Sequence, residues 1–446
     1  MTDHAMLFVN AAQVVTCAGP ARARRGNEMT DARVSTGAAV MVEQGTIVAV
    51  DDERALRADN PTVPLIDCGQ GVLTPGFVDS HTHAIFGRPR FEEQELRATG
   101  VPYMEIARQG GGIHASVRDL HARSEDDLYA LARPRLESLA ASGVTTVEVK
   151  SGYGLSLEDE TKTLRVVQRL AATLPMRIVP TWLGAHEIPL DYRERSGGRA
   201  EYIALLIHEM LPVITREHLA SFADVFCEPG VFGVDESRDI LTAARAAGLG
   251  IKLHADELVS GGGARLAAEL EAVSADHLAA ISSDGIAALA GAGTVATLLP
   301  GTMLFLGKTA HAPARRLIDA GVPVALATDF NPGTSPTTNF PLILTLGVSQ
   351  LRLSVSEAMV AGTVNGAAAL GLADHVGQVA PGFSADLALW DVSDFRELPY
   401  WYGAGRCRAS WARGKPCHDH DLQLTFSPAP HTSLHRGRPS PSLDRP

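Results

Sequence analysis

Short apolar runs recur through the middle of the chain and alternate with longer segments of mixed polarity. Eight runs stand at residues 72–83, 144–150, 177–186, 223–228, 250–254, 273–277, 294–300 and 322–329. Most are as short as a strand and apolar on both faces, the pattern of a parallel strand covered on each side. The segments between them carry helix starts. Ser124-Glu-Asp-Asp, Asp235-Glu-Ser-Arg and Ser282-Ser-Asp-Gly each offer a side-chain oxygen to the open N–H groups of a first turn. The first helix is expected to end near Gly143 and the second at Gly248, with Pro134 bending the first. Eight buried strands alternating with helices predict an α/β fold, a (β/α)8 TIM-like barrel over residues 72–371. The connection from His83 to Val144 is long enough to carry a binding loop.

The chain ends follow a different pattern. Residues 7–15 read as a short strand pair. Residues 38–42 and 46–50 are β-rich runs around Glu43-Gln44-Gly45, a hairpin signal. Residues 377–392 read again as turn and strand, and the alternation from Asp386 to Asp391 predicts a half-buried strand. The two ends are expected to pair into a small β-sandwich-like domain of residues 1–71 and 372–417. Between the first strands, the Gly/Ala/Arg-rich stretch from Gly19 to Arg33 is expected to be an exposed loop. The tail 418–446, rich in Pro, Ser, Arg and His, is expected to be disordered, with His418, His420, His431 and His435 solvated rather than metal-bound.

Composition narrows the partners. With 45% apolar residues the chain can build a globular core. A formal net charge of −12 disfavours a nucleic-acid footprint, which needs clustered Lys and Arg. No run approaches the roughly 18 apolar residues of a membrane span, and no basic segment leads into an apolar one at the N-terminus. A soluble cytoplasmic protein is therefore expected, with nucleic acid disfavoured as a partner by the acidic balance. Five cysteines, without a CxxC pair, read as reduced thiols.

In a parallel barrel the reactive groups stand at the C-terminal ends of the strands. There the first run carries His81 and His83, the third His186, the fifth His254 and Glu257, the sixth His277, and the eighth Asp329 and Asn331. Alternation puts His81 and His83 on one face. With His254 and Asp329 they make three nitrogens and one carboxylate, a set that suits zinc or a similar transition metal with an open position for water. An HxH pair can arise by chance in a chain with 16 histidines; the eighth-run Asp329 and the HxxE of His254 and Glu257 favour the metal. Glu257 is a candidate proton donor or acceptor to substrate, against the plainer reading of an acid bonded to a turn. His277 and Asp329 are both candidates to take the proton of the reacting water. Lys150 ends the second run rather than the fourth, where a carboxylated lysine bridging two metals would belong, so one metal is expected and Lys150 is given a structural or substrate role. Glu228 is a lesser candidate for a second metal.

The motifs PGFVDSHTH at 75–83, HADE at 254–257, SADH at 274–277, TDFNPG at 328–333 and the closing GxxxPGxxADL at 377–387 resemble the amidohydrolase superfamily. Within it, KSGYGL at 150–155, WLGAH at 182–186, LHADE at 253–257 and DFNPGTS at 329–335 are similar to the imidazolonepropionase family. That resemblance implies metal-dependent hydrolysis of the cyclic amide of 4-imidazolone-5-propanoate to N-formimidoyl-L-glutamate, a step of histidine degradation. It implies one divalent or trivalent metal, zinc or iron, on His81, His83, His254 and Asp329. It further implies substrate contacts from Arg90, Tyr153, His186, Glu257, Asn331, Gly333 and Thr334, catalysis by Glu257, His277 and Asp329, and a homodimer. The residue chemistry agrees: Arg90 offers a fork of donors for a propionate, although Arg88 and Glu92-Glu93 beside it also suit a surface arginine. Tyr153 is displayed between two glycines, and Asn331, Gly333 and Thr334 form a polar loop. The rivals are a cytosine- or guanine-type deaminase of the same superfamily and a metal-free scaffold.

Overall fold

The structure is a computed structural model that describes residues 5–101, 105–106 and 110–419. Eight strands form its central sheet: β1 (Phe77–Asp79), β2 (Val144–Lys150), β3 (Arg177–Ala185), β4 (Phe222–Cys227), β5 (Gly250–Ala255), β6 (Ser274–His277), β7 (Val295–Leu298) and β8 (Val324–Leu326). Each is parallel to the next in chain order. β1 and β8 meet just past their ends. The His83 amide donates to Phe330 O at 2.8 Å and the Asp329 amide to His81 O at 3.0 Å. The Asp79 carboxylate accepts from the amide and hydroxyl of Thr328 at 3.0 and 2.6 Å. These bonds close the sheet into the expected barrel, and they join the segment bearing His81 and His83 to the segment bearing Asp329.

The strands are buried because helices cover them outside and side chains fill them inside. All seven residues of β2 are buried, Glu148 and Lys150 included. The helix Glu125–Ala140 opens on Ser124, whose hydroxyl accepts from the Asp127 amide while the Asp127 carboxylate accepts from the Ser124 amide. It continues as one helix through Pro134. The helices Val234–Ala246 and Ser283–Ala292 stand where the other two starts place them.

The ends of the chain do combine: Val72–Pro75 is antiparallel to Leu387–Trp390 in a six-stranded sheet. The run 72–83 is therefore two strands. Its first half belongs to the end sheet, and the chain enters the barrel at Gly76, whose missing side chain leaves room for Thr145. A four-stranded sheet, Thr46–Asp52, Ala38–Glu43, Met6–Val9 and Leu65–Asp67, lies against it. Phe8, Val40, Leu73, Leu387 and Trp411 fill the layer between them.

Three local expectations are corrected. Residues 7–15 are not a strand pair, because Met6–Val9 and Gln13–Val15 belong to different sheets. Leu387–Trp390 is buried on both faces, because one face meets the sandwich layer and Trp390 packs on Phe77 of the barrel at 5.3 Å between ring centres. The Gly19–Arg33 stretch is not simply exposed. Arg24, Met29 and Ala32 are buried, and the backbone of Arg24 exchanges hydrogen bonds with the Asn365 amide group at 2.7 and 2.9 Å. Asn365 also donates to Val324 O at the start of β8, so the stretch is tied to the end of the barrel away from the strand C-termini. His418 lies in the strand Lys415–Asp419. The rest of the tail, with His420, His431 and His435, falls outside the described residues.

Candidate active site

The ends of β1, β5 and β6 and the turn after β8 bring His81, His83, His254, His277 and Asp329 together. Asp329 Oδ1 stands 3.5 Å from His81 Nε2 and 3.7 Å from His83 Nε2. The His81 ring centre lies 4.5 Å from that of His254 and 5.4 Å from that of His277. Two overlapping sets, His81–His83–Asp329 and His81–His254–His277, each hold ligand-type atoms within 4.8 Å of one another.

The electrostatics prepare three of the four imidazoles as donors of lone pairs. Burial, and then the neighbouring positive charges, hold His81, His83 and His277 well below the usual imidazole range, so their rings are neutral. Burial would lower His254 too, but the Asp224 carboxylate beside it prevails and raises it. Burial pushes Asp329 up to about 6. Its Oδ2 accepts from the Thr302 hydroxyl at 2.6 Å, which leaves Oδ1 toward the histidines. His81 Nδ1 donates to Asp276 at 2.7 Å, and its Nε2 is buried with no hydrogen-bond partner. A buried nitrogen of that kind is costly unless something fills its lone pair. The donor set and this orphaned atom fit a transition-metal cation on His81, His83, His254 and Asp329. A third cluster, His81–Glu148–Asp276, is of another kind, because the ammonium groups of Lys150 and Lys252 already lie among its carboxylates. Asp329 and His277 both hold left-handed backbone, with φ of 53° and 76°. That conformation costs of order 1–3 kcal/mol at a non-glycine residue and is typical of functional turns.

The groups expected on the substrate side line the same mouth. Glu257 Oε2 lies 3.5 Å from His277 Nε2. Burial, then Asp329, pushes the Glu257 carboxyl up to about 8. Glu228 does not turn toward a second metal: its carboxylate accepts from the amides of Glu257, Leu258 and Val259 and so holds the Glu257 loop. His186 is stacked on His83, 5.1 Å between centres and 18° between planes, and donates from Nδ1 to Gly152 O at 2.9 Å. Burial lowers its pKa to about 3. The Tyr153 ring is buried 5.5 Å from that of His186. Its turn is folded by Glu160, which accepts from the amides of Gly152, Gly154 and Leu155.

Arg90 is not a surface arginine. Its side chain is 11% exposed, its buried Nε stands 3.7 Å from the Glu93 carboxylate without a hydrogen bond, and its guanidinium lies against Gly333. The Asn331 loop is more self-contained than expected. Asn331 Oδ1 accepts from the amides of both Gly333 and Thr334 at 2.8 Å, so these two donors are already engaged.

Sequence reasoning missed the shell behind the imidazoles. Asp224 and Asp276 stand behind His254 and His81, and Thr302 orients Asp329; Lys150, given a structural or substrate role from the sequence, lies between the carboxylates of Glu148 and Asp224 at 2.8 Å from each. The available signal was charge inside otherwise apolar strand runs, as in ADVFC and VSADH.

A model described as the Amidohydrolase family matches residues 89–418. An imidazolonepropionase of Geobacillus kaustophilus is 46% identical over 415 residues, which cover 92% of this chain and 97% of that protein. An imidazolonepropionase of Symbiobacterium thermophilum is 47% identical over 414 residues, 92% of this chain and 96% of that one. Among solved structures, an adenosine deaminase from Xanthomonas campestris with bound zinc aligns with a TM-score of 0.71 at 20% identity, covering 94% of each chain. Escherichia coli guanine deaminase aligns with a TM-score of 0.69 at 17% identity, covering 94% of this chain and all of that one. The likenesses to solved structures show the fold alone.

Proposed function

The chain belongs to the Amidohydrolase family and, within it, to the imidazolonepropionases, and from that membership we propose that its barrel mouth hydrolyses 4-imidazolone-5-propanoate to N-formimidoyl-L-glutamate. The observation that carries the reading is Arg90. A nearly buried guanidinium packed on the loop that follows Asp329, its Nε 3.7 Å from the Glu93 carboxylate and without a hydrogen bond, can still take a propionate on its fork of donors. A purine or pyrimidine base has no such carboxylate.

His81, His83, His254 and Asp329 would hold one zinc or iron ion, which supplies Lewis acidity and makes water nucleophilic near neutral pH. The chain's own groups do the rest. Arg90 binds the carboxylate, and Tyr153 and His186 form the wall on which the flat ring rests. Asn331 folds the loop, Gly333 leaves room for Arg90, and Thr334 completes its edge. Hydrolysis places a hydroxyl on the ring carbonyl carbon, breaks the carbon–nitrogen bond and puts a proton on the departing nitrogen. Asp329 and His277 take up the proton of the attacking water and stabilise the charge that grows on the carbonyl oxygen. Glu257, protonated at neutral pH, orients the ring and hands its proton to the nitrogen. The 3.5 Å approach of His277 to Glu257 gives the removed proton a path back.

The test follows the loss of imidazolone absorbance with purified protein, before and after chelation, beside guanine and cytosine as alternative substrates. Turnover of imidazolonepropionate that stops on chelation is expected. Rapid deamination of a base with no turnover of imidazolonepropionate would end the reading.

A further inference from the structure

Beneath the histidines, the barrel interior holds five charged side chains with no solvent exposure: Glu148, Lys150, Asp224, Lys252 and Asp276. They come from β2, β4, β5 and β6, and they are connected. Lys150 Nζ stands 2.8 Å from Asp224 Oδ2, 2.8 Å from Glu148 Oε2 and 3.7 Å from Asp276 Oδ2. Lys252 Nζ stands 3.3 Å from Glu148 and 3.9 Å from Asp276, and donates to Ser80 O at 3.0 Å. Two of the carboxylates then reach up to the imidazoles: Asp276 Oδ2 to His81 Nδ1 at 2.7 Å and Asp224 Oδ2 to His254 Nδ1 at 3.0 Å. Asp224 also accepts from the His254 amide at 3.1 Å, so one side chain bonds the backbone of that residue and stands within ion-pair distance of its ring.

We propose that Lys150, Asp224 and Asp276 are positioning residues for the cation site, Lys150 clamping the two carboxylates that fix the tautomer and orientation of His254 and His81. The inference rests on the reading that this mouth holds a metal.

Two physical arguments support it. A carboxylate on Nδ1 keeps the proton there and leaves Nε2 as the bare donor, which is the state in which a histidine binds a metal. Charge supplies the second. Three carboxylates face two ammonium groups, an excess of one acidic side chain directly below the place a cation would occupy. Low-dielectric surroundings make that excess count for more than it would in water. Hydrophobic residues of similar volume would fill the barrel as well and are often no less stable than buried ion pairs. The sharing of single oxygens between a lysine and a histidine is what stability alone does not require.

The experiment measures zinc affinity of metal-stripped full-length protein by competition with a chromophoric chelator, for the unmodified chain, Lys150→Met, Asp276→Asn and Asp224→Asn. Each variant is expected to bind zinc about 10- to 100-fold more weakly, and to lose it at a higher pH than the unmodified chain as the pH is lowered. Affinities within twofold of the unmodified protein would overturn the inference, whatever the effect on melting temperature. If a variant does not fold, nitrogen-15 histidine spectra of the unmodified metal-stripped protein decide. Protons on Nδ1 of His81 and His254 support the clamp, and protons on Nε2 of these rings overturn it. Unmodified protein that binds no zinc would instead remove the metal reading of the site itself.

Discussion

A methyl group on Gly333 would occupy the space that the Arg90 guanidinium fills. Gly333 is thus required by the close approach of another side chain, and the pair forms one element of the mouth. Arg90→Ala should raise KM about 10- to 100-fold, the worth of hydrogen bonds to a charged partner, with a smaller effect on kcat. Gly333→Ala should reproduce that KM defect by displacing the guanidinium. Steady-state kinetics of both variants with imidazolonepropionate check the pair. An unchanged KM in Arg90→Ala would remove the carboxylate assignment.

The proposed function gives Asp329 two roles, to ligate the metal and to accept a proton. Asp329→Ala should abolish turnover and the ability of added zinc or iron to restore chelated enzyme. Thr302→Val, which removes the hydroxyl that turns Oδ1 toward the histidines, should leave a weakened but measurable rate. Metal analysis beside the assay separates loss of metal from loss of chemistry.

Glu257 carries a pH signature. Its carboxyl is raised to about 8, and the proposed role needs the protonated form. Activity is therefore present below that value and is lost as pH rises through it. Glu257→Gln cannot hand over a proton and should cost about 10²–10⁴-fold in kcat, and its residual activity should lack the alkaline limb. The pH dependence of kcat for the two proteins is the measurement.

Trp390 joins the end sheet to the barrel. It is fully buried, packs on Phe77 and over Gly143, and donates from Nε1 to the Thr74 hydroxyl at 2.9 Å. Trp390→Ala should cost about 3–5 kcal/mol of stability. Denaturant titration checks it, and a loss below 1 kcal/mol would mean that the joint is not tightly packed.

Much of the site could be read along the chain because its candidate ligands sit at strand ends, where a short apolar run stops at His, Glu or Asp. His81, His83, His254, His277 and Asp329 are all of that kind, and the structure brings them together. The end strands were harder to read. The Gly19–Arg33 stretch looks polar, yet Arg24 and Met29 are buried, because a distant Asn365 satisfies the backbone there. Leu387–Trp390 alternates with polar flanks and is nevertheless covered on both faces by elements far away in sequence.

Local order along the chain determined what is periodic and what is punctuated: strand length, helix starts, and which residue types end each strand. These depend on neighbours within a few positions, where steric and hydrogen-bonding preferences act. Only the tertiary structure decided the rest. Lys150 neutralises core carboxylates, Asp224 and Asp276 sit behind the histidines, and Arg90 reaches Gly333 across 243 residues of chain. A charged side chain in an apolar run has no partner within its own segment, and its role exists only once the barrel closes and expels water from around it.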